Sequence, residues 1–228
     1  MIEIKGVSRS FGKKEVLKDV SFTINKGEIT CLIGENGSGK TTLMNLLMKL
    51  LPNDSGEFLI DGQAIRFQDF NRISYIPDQI IVLKHMTIQQ ALDFMATYYT
   101  SFNPKRADEM IEFFHLNRHD QVGRLSKGNI AKVNLLLGLS LDTDYVIMDE
   151  PFSGIDILTR EEIASVFTSQ IIEGRGVLIS THEINDIEML IDKVVMLKDG
   201  HVVNEFYPES VRFEEGHSIV DKMREVYR

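Results

Sequence analysis

Hydrophobic residues along this chain form short β-prone runs and longer runs with helical spacing. Apolar runs bounded by turn residues predict strands at residues 2–4, 16–24, 28–33, 57–60, 73–77, 145–148 and 177–180. The last two are continuous apolar runs, which are typical of strands buried on both faces of a parallel sheet. The pattern therefore predicts an α/β fold built on a parallel sheet.

The middle of the chain has helical character instead. Helices are predicted at residues 43–51, in two segments within 87–116, and from 127 to about 139. Thr87 with Gln90 is a capping-box pattern, Asn103-Pro104 favours the start of another helix, and Ser126 is placed to cap the next one. We therefore expect a helical insertion of about 50 residues between strands.

Composition and charge narrow the class of protein. The chain has 228 residues and 43% hydrophobic residues, which is ordinary for a soluble globular protein of one or two domains. No apolar run approaches the roughly 18 residues of a membrane span, and the N-terminus has no signal-peptide layout. The single cysteine, Cys31, lies in a strand pattern and is expected in the core. These features predict a cytoplasmic location, and a net charge of −9 weighs against a general nucleic-acid binder.

Residues 34–42 read GENGSGKTT and match the phosphate-binding pattern G-x-x-x-x-G-K-[ST] in full. The match lies between a predicted strand and a predicted helix, where backbone amides and the helix N-terminus attract an anion. Lys40 would add a full charge for the β- and γ-phosphates, Thr41 would hold Mg²⁺, and Thr42 would bond the α-phosphate. A glycine-rich turn that binds nothing is the alternative, and the strand–loop–helix context favours nucleotide binding.

Polar residues follow the two continuous strands. Asp149 is placed as a Mg²⁺ ligand acting through water, and Glu150 as a general base for an attacking water. His182 follows the second strand and would orient that water. Solvated acids and a structural histidine are the alternatives, which the upstream phosphate loop disfavours.

A second anion-receptive helix start is predicted at residues 125–129, Leu-Ser-Lys-Gly-Asn. Ser126 can cap the helix, and Gly128 keeps its first turn open. Taken alone, the segment is no more than a helix cap. Its position, about 20 residues before Asp149 and just after a helical insertion, is what favours a functional role.

Together these motifs resemble, in order over roughly residues 2–204, the nucleotide-binding subunit of an ATP-binding-cassette (ABC) transporter. Residues 34–42 correspond to Walker A, 125–129 to the LSGGQ signature, 146–150 to Walker B with its catalytic glutamate, 153–156 to the D-loop, and His182 to the switch histidine. The resemblance implies that Phe11 stacks on adenine and that Val16 lines the same pocket. The remaining ATP contacts that it implies are Asn36, Gly37, Ser38, Gly39, Lys40, Thr41, Thr42, Ser126 and Gly128.

The resemblance implies one ABC ATPase domain with a P-loop NTPase core. It would have an N-terminal antiparallel β subdomain, and a RecA-like core would share residues 1–78 and 140–205 with it. A helical subdomain would span about 79–139, followed by a tail at 206–228. Its ligands would be ATP and Mg²⁺. It would pair head-to-tail with itself or with a paralogous ATPase and drive a separate transmembrane permease from the inner face of the membrane. The helical insertion and residues 78–86 are the expected docking surface, where the apolar run 80–83 would offer contacts. A loop buried within the protein is the alternative for that run.

This chain departs from the family pattern at two places. Lys127 and Asn129 replace a glycine and a glutamine of the signature, whereas Ser126 and Gly128 are kept. The glutamine expected after Pro77 is replaced by Asp78, with Gln79 next, so either residue could serve the Q-loop and reach the metal. The wording of both segments is similar to exporters with ABC-2-type membrane partners, including antibiotic and antimicrobial-peptide exporters.

Three other functions are alternatives to the exporter. A soluble ABC ATPase acting on nucleic acid or ribosomes usually has two cassettes or a long coiled-coil insertion, and neither is visible. A non-hydrolysing regulatory module is disfavoured by Glu150 and His182. A P-loop GTPase is disfavoured because no Asn-Lys-x-Asp motif occurs.

Overall fold

The structure is a computed structural model that describes residues 1–80, 82–169, 171–182, 184 and 187–227. Ile81, within the apolar run predicted to dock a partner, and Arg228, at the end of the tail, lie outside the described residues. None of the helices in the described part of the chain combines the length and the apolar character of a membrane span.

An antiparallel sheet is formed mainly by the N-terminal part of the chain. Its strands are β1 (Ile2–Phe11), β2 (Lys14–Ile24), β4 (Ser55–Ile60) and β5 (Gln63–Ala64), in the order β2-β1-β4-β5. β1 and β2 pair as a hairpin from Ile2 opposite Ile24 to Phe11 opposite Lys14. The first predicted strand was therefore too short, because residues 5–11 lack strict apolar alternation and are held by pairing on both sides.

A second sheet has the order β10-β9-β3-β8-β7-β6. Its strands are β3 (Ile29–Ile33), β6 (Ile73–Ile76), β7 (Tyr145–Asp149), β8 (Gly176–Thr181), β9 (Lys193–Lys198) and β10 (His201–Phe206). β10 is an antiparallel edge strand, and the other five run parallel. Because parallel strands end at one edge, Ile33 lies opposite Thr181 and Asp149 opposite Ser180.

Helices connect and cover the sheets. They are α1 (Lys40–Leu47), α2 (Ile88–Tyr98), α3 (Pro104–Phe113), α4 (Lys127–Leu139), α5 (Ile157–Val166), α6 (Pro208–Glu215) and α7 (Ile219–Tyr227), with 3₁₀ turns at Phe67–Arg72, Val122–Arg124 and Glu188–Leu190. The predicted caps are confirmed: Thr87 and Gln90 form a capping box on α2, Asn103 caps α3 and Ser126 caps α4. Local side-chain-to-backbone bonds therefore set these helix starts.

The six-stranded sheet separates two hydrophobic clusters. Alternate residues of its strands face opposite sides of the sheet. Leu32 and Ile147 belong to the cluster with α1 and the antiparallel sheet, whereas Cys31 and Val146 belong to the cluster with helices α2, α3, α4 and α5. Cys31 is fully buried, as predicted. This layered α/β arrangement agrees with the predicted fold class, and it leaves the carboxyl ends of the parallel strands free to carry polar groups.

Candidate functional site

The phosphate loop connects the end of β3 to the start of α1. Gly37 and Gly39 have φ angles of 83° and 112°, a left-handed region of the backbone that residues other than glycine rarely adopt. A Cβ on Gly39 would also lie 2.7 Å from Cδ2 of Leu17. Glycine is therefore required at Gly37 by conformation alone, and at Gly39 by both conformation and space.

Ser38 supplies a polar atom that the chain itself does not use. Its hydroxyl is buried in the loop, and among the described residues it has no hydrogen-bond partner. Asn36 and Gly37 are exposed on the outer part of the loop. A buried unpaired hydroxyl is costly, so this loop is suited to receive an external polar group such as a phosphate oxygen.

The Lys40 side chain is only 6% exposed. Its ammonium donates to the carbonyl oxygens of Gly34, at 2.7 Å, and Glu35, at 3.4 Å. It also lies 3.2 Å from Oε1 of Glu150. A buried ammonium needs such partners, and Glu150 serves as its counter-ion.

Three residues at the ends of β7 and β8 form a connected polar group. Ser180 Oγ donates to Asp149 Oδ1 at 2.5 Å, and the amide of Glu150 donates to the carbonyl and hydroxyl oxygens of Ser180, both at 3.0 Å. Sequence reasoning missed Ser180, although its position at the end of an apolar strand was a usable signal. These bonds hold Glu150 at a φ of 47°, an unusual value for a non-glycine residue.

Glu150 also contacts the predicted switch histidine. Its Oε2 lies 2.9 Å from Nδ1 of His182. Lys40, Glu150 and His182 come from three separate segments and meet at one edge of the sheet.

The Cys31 thiol is buried beneath these three residues. Burial and then the charge of Glu150 raise the pKa of the thiol, whereas Lys40 opposes the rise. Cys31 is thus a neutral core residue.

The predicted adenine-side residues lie on the antiparallel sheet. Phe11 is half-exposed at the end of β1, with the Arg9 guanidinium 4.9 Å from its ring centre. Val16 lines a cavity of about 220 Å³ together with residues 35–38 of the loop. Thr41 and Thr42 occupy the first turn of α1, where Thr41 is exposed.

Asp78 and Gln79 lie on the wall of a second cavity, of about 430 Å³, which Glu150 also lines. Partial burial, and then the charges of Asp149 and Glu150, raise the pKa of Asp78. The three carboxylates therefore make a negative region beside the phosphate loop. Asp78 and Gln79 are both solvent-exposed, and the neutral amide of Gln79 adds no charge to this region.

The signature residues are held apart from the phosphate loop. Ser126 Oγ accepts from the amide of Asn129 at 3.2 Å, and Gly128 packs against Thr159, where an added Cβ would lie 2.8 Å from Oγ1. Thr159 in turn donates through its hydroxyl to Asp156 at 2.8 Å. Within the described ranges, no hydrogen bond joins Ser126 or Gly128 to residues 34–42.

Comparison with known proteins decides the family. The family model described as ABC transporter matches residues 17–153. The chain belongs to the ABC transporter family. It is 32% identical over 207 residues to the ABC transporter ATP-binding protein YtrB of Bacillus subtilis (strain 168), covering 90% of this chain and 71% of that protein.

Two further similarities bear on this ABC protein. It is 31% identical to the petrobactin import ATP-binding protein YclP of Bacillus subtilis (strain 168), covering 92% of this chain and 88% of that protein. A solved structure described as the ATP binding subunit of an ABC transporter is 26% identical, with a TM-score of 0.89 and full coverage of both chains. The predicted fold class is confirmed.

The chain is thus the ATP-binding subunit of an ABC transporter, and an ATPase. An ATPase of nucleic acid or ribosomes is not favoured. The exporter branch stays a prediction, because an import ATPase is also a relative.

The residues of this ABC subunit fit the magnesium ion that the family implies. Thr41 is exposed at the start of α1, where its hydroxyl is accessible to a ligand. Asp78 and Glu150 line one cavity, and burial, followed by the charges of Asp149 and Glu150, raises the pKa of Asp78. A divalent cation would relieve this repulsion between carboxylates. Asp149 is 2% exposed and fixed by Ser180, which suits a contact through water.

Proposed function

We propose that this subunit binds Mg-ATP on residues 34–42, closes on a second cassette, and hydrolyses ATP with Glu150 to drive a separate membrane permease. The observation that carries the proposal is the contact of Lys40 with both the loop carbonyls and Glu150. This contact supports the proposal because the proposed phosphate-binding cation and the proposed base are neighbours. His182, 2.9 Å from that carboxylate, is the orienting group.

The chain's own groups supply the steps of the reaction. Phosphate oxygens would draw the Lys40 ammonium toward the nucleotide and free Oε1 of Glu150. The carboxylate then accepts a proton from water as the water oxygen attacks the γ-phosphorus, and the bond to the β-phosphate oxygen breaks to leave ADP. Mg²⁺, held by Thr41 and through water by Asp149 and Asp78, would neutralise charge on the phosphates.

The signature is proposed to act on the nucleotide of the partner cassette. Ser126 and Gly128 lie at a second helix N-terminus suited to bind phosphate. In the described part of the chain they make no hydrogen bond to the phosphate loop of the same subunit. Two-fold pairing would place them over the partner's ATP and create two equivalent sites. The partner would be a second copy or a paralogue, and residues 79–139 would be the helical subdomain that carries the signature.

Membrane docking is assigned to an apolar groove of about 420 Å³ between α2, α4 and the segment after β6. Exposed apolar side chains lie on its wall, among them Leu50, Leu83, Phe94 and Tyr99. Exposed apolar patches mark interaction sites, and this one includes residues 82, 83 and 86 of the predicted docking segment. We propose that it receives the permease at the cytoplasmic face of the membrane.

Export is the proposed direction, because the sequences of residues 75–78 and 125–128 are similar to those of exporters with ABC-2-type membrane partners. Import remains the competing direction, since YclP carries that function in its name.

The proposal is tested by light scattering of Glu150→Gln with and without Mg-ATP. A shift from monomer to dimer on adding nucleotide is expected, because hydrolysis no longer releases the pair. The double variant Glu150→Gln, Ser126→Ala is the control that should weaken dimer formation. A monomer that persists with ATP bound would reject the composite site for the isolated subunit.

A further inference from the structure

The hydroxyl of Tyr227, at the end of α7, lies against the start of the phosphate loop. Its single proton is shared between the carbonyl oxygens of Ile33, at 3.1 Å, and Leu197, at 3.2 Å. Ile33 ends β3 and directly precedes Gly34, and Leu197 lies in the neighbouring strand β9. One hydroxyl thus joins the adjacent strands at the point where the loop begins.

The carbonyl oxygen of Leu197 also limits the space around Gly34. A Cβ on Gly34 would lie 2.6 Å from the Leu197 oxygen and 2.4 Å from Ser38 Oγ. The Gly34 carbonyl also accepts from Lys40 at 2.7 Å. A shift of Leu197 or of the Ile33 peptide would therefore move Gly34 and, through it, the ammonium.

Helix α7 is anchored at both ends. At its start, the amide of Ile219 donates to Oε1 of Glu188 at 2.9 Å, and the Ile219 side chain is buried. At its end, Lys198 Nζ donates to the carbonyl oxygen of Val226 at 2.6 Å. The hydroxyl of Tyr227 is consequently held in place by contacts outside the phosphate loop.

Tyr227 remains a hydrogen-bond donor at all working pH values. Burial, and then the negative charge of Glu35, raise the pKa of Tyr227 to about 12. Tyr227 also lines the cavity of about 220 Å³ that residues 35–38 share. Its proton is therefore retained beside the loop.

We propose that Tyr227 is a positioning residue for ATP binding, whose hydroxyl holds the first peptide of the phosphate loop ready for nucleotide. This inference rests on the proposed assignment of residues 34–42 as the ATP site. The tail is then part of the nucleotide-binding unit, and it acts through Ile33 and Leu197 without touching ATP.

The test uses Tyr227→Phe, which keeps the ring and removes the hydroxyl. In a fluorescence titration with Mg-TNP-ATP, its Kd is expected to rise about threefold to tenfold, the effect of losing one neutral hydrogen bond. Amide hydrogen exchange of residues 33–40 in the nucleotide-free protein should become faster. In steady-state kinetics KM should rise with little change in kcat.

Tyr207→Phe is the matched control, because Tyr207 is half-exposed and lies at the start of α6 away from the loop. It should leave Kd and hydrogen exchange unchanged. If Tyr227→Phe does not fold, Lys198→Met loosens the same end of α7 and should raise Kd in the same direction. An unchanged Kd and unchanged exchange in the folded variant would overturn the inference.

Wild type and Lys40→Ala separate this failure from failure of the proposed function. Tight binding by wild type, lost in Lys40→Ala, upholds the ATP site. With that result, a Tyr227→Phe protein that binds like wild type removes only the role of Tyr227. Equal binding by wild type and Lys40→Ala would reject the site itself.

Discussion

The ammonium of Lys40 lies 3.2 Å from Oε1 of Glu150, and both side chains are largely buried. The residue expected to bind phosphate is thus the counter-ion of the residue expected to activate water. Phosphate oxygens would compete with Glu150 for the ammonium. ATP binding and activation of the carboxylate are therefore coupled through one ion pair.

Replacing Lys40 by alanine tests the phosphate assignment. We expect ATP hydrolysis to fall about 100-fold to 1,000-fold, the scale for losing one preorganised phosphate contact. Release of phosphate from Mg-ATP measures this, with Lys105→Ala, a highly exposed lysine on α3, as the control. Unchanged hydrolysis in Lys40→Ala would refute the assignment of the loop.

Glu150→Gln removes the base but keeps the size of the side chain. Turnover should fall about 100-fold to 10,000-fold, the contribution of general base catalysis, while ATP still binds. Single-turnover hydrolysis and equilibrium binding separate these effects, with Glu112→Gln on α3 as the control. A variant that hydrolyses ATP at the wild-type rate would exclude Glu150 as the base.

Asp78→Ala and Gln79→Ala, compared side by side, identify the Q-loop residue. Because Asp78 shares the negative region with Asp149 and Glu150, we expect only its removal to raise the Mg²⁺ concentration for half-maximal hydrolysis, by about tenfold. The reverse result would assign the role to Gln79. No effect from either variant would make the segment structural only.

Gly128→Ala tests the fit of the signature helix. The added methyl would lie 2.8 Å from Thr159 Oγ1, and a crowded contact of this kind costs about 1–3 kcal/mol. The melting temperature and the fraction of dimer formed on adding ATP should both decrease. Lys127→Ala changes the exposed neighbour and should preserve stability; equal stability of Gly128→Ala and wild type would show that the contact relaxes freely.

Asp156 gives α5 a pH-dependent cap. Bonds from the amide and then the hydroxyl of Thr159 lower the pKa of Asp156. Its stabilising effect is therefore complete above the usual aspartate pKa of about 3.9 and is lost as pH falls through the lowered value. Asp156→Ala should melt earlier than wild type at pH 7, and the difference should shrink in acid. Asp156→Asn keeps a neutral cap, so a gap between wild type and Asp156→Asn as large as that for alanine would contradict this account.

Local patterns carried much of the fold. Thr87, Asn103 and Ser126 were recognised as caps, because a cap depends on residues within one helical turn. The strand–loop–helix around Lys40 was recognised because its phosphate-binding pattern lies within the consecutive residues 34–42. β9 and β10 were not predicted, although the apolar run at 194–197 was a usable signal. The spacing of Ile219, Met223 and Val226 is helical, and in the structure these residues lie on α7.

The sequence by itself determined the α/β class, the phosphate loop and the order of the chemical groups, because each depends on residue type and short spacing. Only the tertiary structure decided which groups meet. Lys40 reaches Glu150 because β3 and β7 flank β8 in one parallel sheet. Tyr227 reaches Ile33 across 194 positions of the chain. No local pattern encodes such contacts, since strand order and helix packing arise from burying the whole apolar surface at once.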